Sequence, residues 1–409
     1  MTDPPRHCMP RHCMPRHCMV VYAYYPHTET RVQRQAEALV RAGFDVDVVC
    51  LRDRGEAPRA RYRGVHVHRL PVSVEKRSLA RQFGSYLHFL VRAGAHLARL
   101  QRAHPYHSVQ VHNLPDFLVF SALVPKLAGV PVVLDLHDLM PEFFAGRFGG
   151  AQDLTPSRRL VASAIAWQER MSCRFADHVV TVSDHWRDAL IARGVTPSRC
   201  SVVMNVADEE IFGRARPSAV GPRRFELVYH GTVTYRYGLD LALEAVAKLA
   251  TEIPEIHLTI LGRGDLMAEL FARRAQLGIE HFVDLRDEYV VAEELPAALG
   301  GADVGIVPYR DDVFTDGLLP TKLMEYAVMG LPCVAARTQA ISSYFAGTMV
   351  EFFQPGDADS LANAIRRLYD DREHRRALAR GARRFTERYS WERLGAEYVE
   401  LITRLRRSG

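Results

Sequence analysis

Short apolar runs alternate with stretches of helical periodicity along almost the whole chain. In the first half, runs at 19–25 (MVVYAYY), 44–52, 65–71, 108–114, 131–137, 178–184 and 200–206 predict strands. Between them, 30–43, 76–104, 116–129, 155–176 and 185–194 carry apolar positions three and four apart and predict helices. A stretch rich in Gly, Pro and Arg, GRARPSAVGPRR at 213–224, breaks the alternation. The pattern then restarts, with strands at 225–231, 256–264, 281–287, 303–310 and 349–356 and helices at 237–250, 265–277 and 292–302. Residues 318–337 (LLPTKLMEYAVMGLPCVAAR) read as a buried helix and then a buried strand. Two such runs in series predict an α/β protein of two Rossmann-like, doubly wound parallel-sheet domains, 19–212 and 225–385, each covered on both faces and joined by a linker at 213–224. Residues 386–409 are expected to form a terminal helix that crosses back to the first domain. Sheets of this kind bind ligands beyond the carboxyl ends of their strands, and two facing each other make a cleft, so the residues just after each strand are the ones to inspect.

The length of 409 residues agrees with two domains, and 48% apolar with 25% charged residues is the composition of a globular protein. No run of about 20 apolar residues occurs and no apolar leader is seen, so a cytoplasmic protein is expected. Charge is uneven: residues 1–215 hold 28 Lys+Arg against 20 Asp+Glu, and residues 216–409 hold 25 against 28. A basic first half suits an anionic lipid surface, nucleic acid or an acidic substrate, or is simply a solvated arginine-rich surface. Only four lysines occur against 49 arginines, which makes Lys322 stand out. Three of the seven cysteines belong to a repeated unit, PRHCM at 5–9, 10–14 and 15–19. The His-Cys pairs match no common zinc spacing. Residues 1–18 are therefore expected to be a disordered extension, or a start site placed too early, with the folded pattern beginning at Met19. Cys50, Cys173, Cys200 and Cys333 read as reduced core thiols.

In the second half, several strands end in short polar or glycine-rich turns: HGTVTYRYG, GRG and PYRDD. The segment 318–337 follows the last of these. Pro320 suits the first turn of a helix, and the free N–H groups there, at the positive end of the dipole, make an anion site that fits a phosphate. Lys322 adds a full positive charge. Glu325, three residues on, shares that face, and a carboxylate there can accept hydrogen bonds from two ribose hydroxyls. The pair suits a nucleoside diphosphate; the alternative is an i,i+3 ion pair on a surface helix, which fits poorly beside Met324, Ala327, Val328 and Leu331.

LLPTKLMEYAVMGLPCVAAR resembles the donor-site motif of family 4 glycosyltransferases of the GT-B fold, in the subgroup that reads L-P-x-K-x-x-E-Y. VHNLPDFLVF, VVLDLHDLMPEFF, YHGTVTYRYGLDLALEAV, ILGRG and RYSWERLGAEYVELITRL are similar to the same subgroup in order and spacing, so the resemblance covers essentially Met19 to Arg407. It implies an enzyme that moves a sugar from a nucleotide diphosphate to an acceptor with retention, without cofactor or metal, donor in the second domain and acceptor against the first. DVD (45–47) and DAD (357–359) are accordingly read as solvated carboxylates. Carried over residue by residue, Glu325 would bind ribose, and Lys322 with the backbone of Leu319, Pro320 and Thr321 would hold the diphosphate. The first Glu of the family's E-x7-E pattern would fall at Gly317, a departure; Asp316 is adjacent and would contact donor-sugar hydroxyls through a one-residue shift. Two cation positions after the Gly231 turn are Thr232 and Tyr237 here, and Arg236 is the expected replacement. Gly262 and Gly264 would let backbone approach the nucleotide, and Tyr289 would read the base. In the first domain His137 matches a histidine near the donor sugar, with Asp135, Asp138 and Glu142 on the same turn, and His112, Asn113, Asp138 and Glu142 would line the acceptor side. The loop YYPHTETR lacks the glycines of many relatives, and Thr28 is expected to cap the next helix.

Two other functions stay open: a nucleotide-sugar 2-epimerase, which would turn over without acceptor, and a non-catalytic nucleotide- or membrane-binding module. The expected partners are a nucleotide sugar and a sugar, glycolipid or lipid-linked acceptor in bacterial polysaccharide assembly, not nucleic acid. The basic amphipathic stretch 76–104, with Arg77, Arg81, Arg92, Arg99 and Arg102, reads either as a peripheral docking surface for anionic lipid on the inner face of the membrane or as an ordinary helix whose apolar face is in the core.

Overall fold

A computed structural model describes residues 14–26, 29–74, 78–146, 155–213 and 224–405. It divides into two compact units. The first holds the described residues of Met1–Phe144, Leu154–Met204 and Glu392–Gly409, and the second those of Ala145–Asp153 and Asn205–Trp391.

The sheet of the first unit contains β1 (Arg16–Val20), β2 (Asp45–Leu51), β3 (Arg59–Tyr62), β4 (Val65–Leu70), β5 (Ser108–His112), β6 (Val132–Leu136), β7 (His178–Thr181) and β8 (Cys200–Val202), in the order β3-β4-β2-β1-β5-β6-β7-β8. Every pairing is parallel except β3 with β4. β5, β6 and β7 are buried at every position, as strands covered on both faces must be. The sheet of the second unit contains β9 (Phe225–His230), β10 (Ile256–Leu261), β11 (Val283–Arg286), β12 (Val304–Val307), β13 (Cys333–Ala336) and β14 (Glu351–Phe353), all parallel, in the order β11-β10-β9-β12-β13-β14. In each sheet the winding reverses once, between β1 and β5 and between β9 and β12. Loops leaving those neighbouring strands part in opposite directions and open a crevice at the carboxyl edge.

The boundaries depart from expectation in several places. The fold begins before Met19: β1 starts at Arg16, and His17 and Cys18 are fully buried. Arg16 is held by Asp45 and Asp47, and His17 Nδ1 lies 2.8 Å from Ser108 Oγ, so the last copy of the repeat is a core strand. The rest of the expected extension, 1–13, lies outside the described residues, as do Thr28 and nearly all of the linker 213–224. The helix Thr30–Arg41 is preceded by Glu29, with no side-chain cap. Asp116–Ala122 is a 3-10 turn followed by a short helix at Leu123–Leu127, because Pro125 has no N–H to continue the ladder. The helix Arg372–Arg388 runs on past residue 385 in the second unit, where Phe385 stacks on Phe345 at 4.5 Å; the helix packed with the first unit is Trp391–Arg404.

Candidate functional site

In the second unit the switch point is bounded by His230 and Gly231 after β9 and by Pro308 and Tyr309 after β12. The helix Thr321–Met329 starts beside them. Pro320 is its N-cap rather than a residue of its first turn, and no side chain caps it, so first-turn N–H groups remain available. Lys322 is only 7% exposed. Its ammonium donates to the Tyr309 hydroxyl at 3.0 Å and lies 4.7, 5.0 and 5.1 Å from the ring centroids of Tyr229, Tyr237 and Tyr309. Burial pushes its pKa down to about 8, against the pull of Glu325 and Cys333 in the other direction. A Cβ on Gly231, whose φ is +111°, would stand 3.7 Å from the Lys322 nitrogen, so the turn borders the ammonium without covering it.

Glu325 is directed to His230, with Oε2 and Nε2 3.0 Å apart, though these atoms lack the alignment of a hydrogen bond. The turns after β9 and β10 are laced together: Gly231 N donates to the Leu261 carbonyl at 2.9 Å and Val233 N to that of Arg263 at 2.8 Å. A Cβ on Gly262 would meet the Gly231 carbonyl oxygen at 1.8 Å, and one on Gly264 the Val233 carbonyl oxygen at 1.7 Å. Both glycines are thus required by contact between the two turns. Thr232 lies exposed on the first turn, its carbonyl accepting from the Tyr229 hydroxyl at 2.6 Å. Arg236 lies over the Phe314 ring at 4.8 Å, and Tyr289 is exposed in the loop after β11. Leu319 and Pro320 are buried and Thr321 exposed. Asp316 accepts from the Gln339 amide at 2.7 Å and makes no ion pair with Lys322.

In the first unit, β5 and β6 end side by side and bring His112 and His137 together, Nδ1 to Nε2 at 3.1 Å. Beneath them Asp135 is fully buried. It takes two bonds from Arg31 (3.1 and 2.9 Å), one each from Gln35 and Gln110 (both 3.0 Å), and lies 3.3 Å from His112 Nδ1. Burial alone would raise its pKa, but the Arg31 guanidinium, His137 and His112 outweigh that and hold it well below the usual carboxylate range. Burial also lowers His112 to about 4, with Asp135 opposing. The donor atoms of His112, Asp135 and His137 come within 4.8 Å of one another, a grouping that could be tried as a metal site. The donor set argues otherwise, because the carboxylate already has Arg31, Gln35 and Gln110 on it and a cation would face the guanidinium.

Asn113 anchors the turn: its carbonyl oxygen accepts from His137 N at 2.8 Å, and its amide donates to Asp116 at 3.0 Å and to the Asp138 carbonyl at 2.7 Å. Burial raises Asp116 to about 6, against the hydrogen bonds from Asn113 and Gln168. Glu142 is engaged by Arg193 at 2.5 Å, which also reaches Glu169 at 2.9 Å. His112, expected to line the acceptor side, is fully buried, whereas the His137 side chain is 20% exposed. Sequence reasoning missed Tyr309, Tyr229 and His230, which the strand-end rule marks, and Arg31, Gln35 and Gln110, which no local pattern marks.

Two doubly wound units, each with its polar group at the switch point, define a GT-B architecture. The glycosyl transferase 4-like domain matches residues 28–205 and glycosyl transferases group 1 matches residues 224–371, and the chain belongs to the family 4, GT-B glycosyltransferases. It is 25% identical over 397 residues to the D-inositol 3-phosphate glycosyltransferase of Paenarthrobacter aurescens, covering 90% of each chain. To the sulfoquinovosyl transferase of Arabidopsis thaliana it is 26% identical over 291 residues, 68% of this chain and about half (52%) of that one. The sucrose-phosphate synthase of Thermosynechococcus elongatus shares the fold with a TM-score of 0.74 at 16% identity, over 95% of this chain and 98% of that chain.

Proposed function

We propose that this glycosyltransferase moves a sugar from a nucleotide diphosphate to an acceptor hydroxyl with retention at the anomeric carbon. The observation that carries the reading is Lys322: an ammonium buried beside an uncapped helix start, with an open glycine turn against it. A diphosphate there would take the amides of the 319–321 turn and the Lys322 charge, and Arg236 would add a second cation. Negative charge grows on the leaving diphosphate as the glycosidic bond breaks, so stabilising it lowers the barrier directly. Glu325, beside His230, would bind the ribose and Tyr289 the base. His137 would meet the donor sugar. In a front-face displacement the acceptor oxygen attacks from the side the nucleotide leaves, and the departing phosphate oxygen takes its proton. Metal is not required, because Lys322, Arg236 and the helix start supply the positive potential.

The proposed acceptor is a sugar, glycolipid or lipid-linked saccharide in bacterial polysaccharide assembly, met at an anionic membrane face. Support comes from the helix Leu79–Ala103, which buries Phe89, Ala93 and Leu97 yet leaves Phe83, Leu87 and Val91 exposed at four-residue spacing, flanked by exposed Arg81, Arg92 and Arg99. The short helix packed on it exposes Leu123 and Leu127. No helix among the described residues is long and apolar enough to cross a membrane. The test is a thermal-shift screen of UDP-, GDP- and ADP-sugars, followed by NMR of the product from the donor that binds. An inverted anomeric centre, or turnover without acceptor, overturns the reading.

A further inference from the structure

Three tyrosines reach Lys322 from three separate segments. Tyr229 stands on β9, Tyr237 on the turn after it and Tyr309 just beyond β12. Tyr237 and Tyr309 stack face to face, with ring centroids 4.5 Å apart and planes 15° from parallel. The Lys322 nitrogen lies within 5.1 Å of all three ring centroids. Among the described residues its one hydrogen-bond acceptor is the Tyr309 hydroxyl, and no carboxylate lies within ion-pairing distance of it. An ammonium has three donors. Two of them are left on a buried nitrogen, beside Gly231, which has no side chain to cover it.

We propose that Tyr309, with Tyr237 and Tyr229, positions Lys322: one hydroxyl acceptor and three ring walls hold the ammonium at a single place with its two remaining donors turned toward an incoming diphosphate. Ring quadrupoles attract the cation without hydrogen-bonding it, so the box keeps the charge in place and leaves the donors unused. A lysine otherwise loses rotamer freedom when a ligand fixes it, and here that loss falls on folding rather than on binding. The inference rests on the reading of Lys322 as the diphosphate contact.

The titratable groups facing the ammonium are the three phenols, Cys333 on β13, and Glu325 with His230 beside it. Burial holds Tyr229, Tyr309 and the Cys333 thiol well above their ordinary values, so they stay protonated where Lys322 loses its charge.

The test is calorimetric titration with UDP, GDP and ADP of the full chain and of four variants: Y309F, which keeps the ring, Y237L and Y237F, which remove and keep a half-buried ring wall, and K322M. Measurements run from about pH 7 to about pH 9, above the last phosphate ionisation at roughly 6, and ADP, whose base does not ionise there, is the control for deprotonation of the uracil and guanine rings. In the unaltered chain, affinity should hold to about pH 8 and then fall roughly tenfold per unit as the ammonium is lost. Y309F should bind roughly tenfold more weakly at pH 7, the effect of removing a hydrogen bond to a charged group, with its alkaline fall starting at lower pH. Y237L should weaken binding roughly fivefold through loss of one ring face, and Y237F should not. If Y309F does not fold, Y237L against Y237F decides. Folded variants that match the unaltered chain in affinity and pH profile, while K322M loses binding, would overturn the positioning role and leave the diphosphate reading standing. No binding of any probe by the unaltered chain would overturn both.

Discussion

Lys322 carries opposite consequences for folding and for ligand. Its folded pKa is depressed, so between about pH 8 and its unfolded value the unfolded chain holds more protons, and stability rises with pH across that window. Below it the buried charge is a constant penalty, on the order of 3 kcal/mol for a shift from 10.5 to about 8. Lys322→Met should therefore raise the Tm of the ligand-free protein while abolishing nucleotide binding, a pairing that calorimetry reads in one sample set; a lowered Tm would contradict it. Glu325→Ala should raise the Kd for nucleoside diphosphates roughly tenfold without affecting inorganic pyrophosphate, the loss of one charge-assisted ribose contact. Lys322 and Glu325 were legible in the sequence because both stand on one helix face at i and i+3. The tyrosine box was not, since its members come from positions 229, 237 and 309 and meet only through the β9–β12 crossing of the sheet. The glycines at 262 and 264 were legible as positions, but their packing against the neighbouring turn follows from a register no local pattern states.

Several elements meet beneath β5 and β6. Asp135 keeps its charge at neutral pH, against its burial, because the Arg31 guanidinium from the helix Thr30–Arg41 and the nearby His137 and His112 outweigh the desolvation, and its contribution to stability is lost as pH falls below the unfolded carboxylate value toward its depressed folded one. Arg31→Ala should cost roughly 3–5 kcal/mol in urea unfolding, the effect of stranding a buried charge. The last helix enters the same network: the Tyr398 hydroxyl donates to Gln110 Oε1 at 2.7 Å, and Gln110 donates to Asp135. Tyr398→Phe should cost about 1–3 kcal/mol by leaving that oxygen unpaired. Strong periodicity made most of these elements readable from sequence. Among those that escaped were β3, whose four residues RARY alternate but are too few and too exposed to signal a strand, and the 3-10 turn Asp116–Ala122, whose apolar residues imitate a helix.

At the scale of the whole molecule, the α/β class and the two-unit plan follow from repeated strand–helix alternation, while the ends of each unit depend on packing that composition does not encode. Vesicle binding tests the basic first half: serine at both Phe83 and Leu87 should cut binding to anionic liposomes several-fold and leave thermal stability unchanged, since both side chains are exposed. The other test concerns β1, the strand from which the first sheet winds in both directions. A chain starting at Met14 should fold, whereas one starting at Met19 should give an unfolded first unit by circular dichroism, because Arg16 and two buried residues go with it. The three PRHCM copies are identical, yet only the last is followed by valine; the others run into Pro10 and Pro15. A proline at the place of Val20, between β2 and β5, would remove a ladder donor from the middle of the sheet, so the earlier copies cannot take over the strand by slipping.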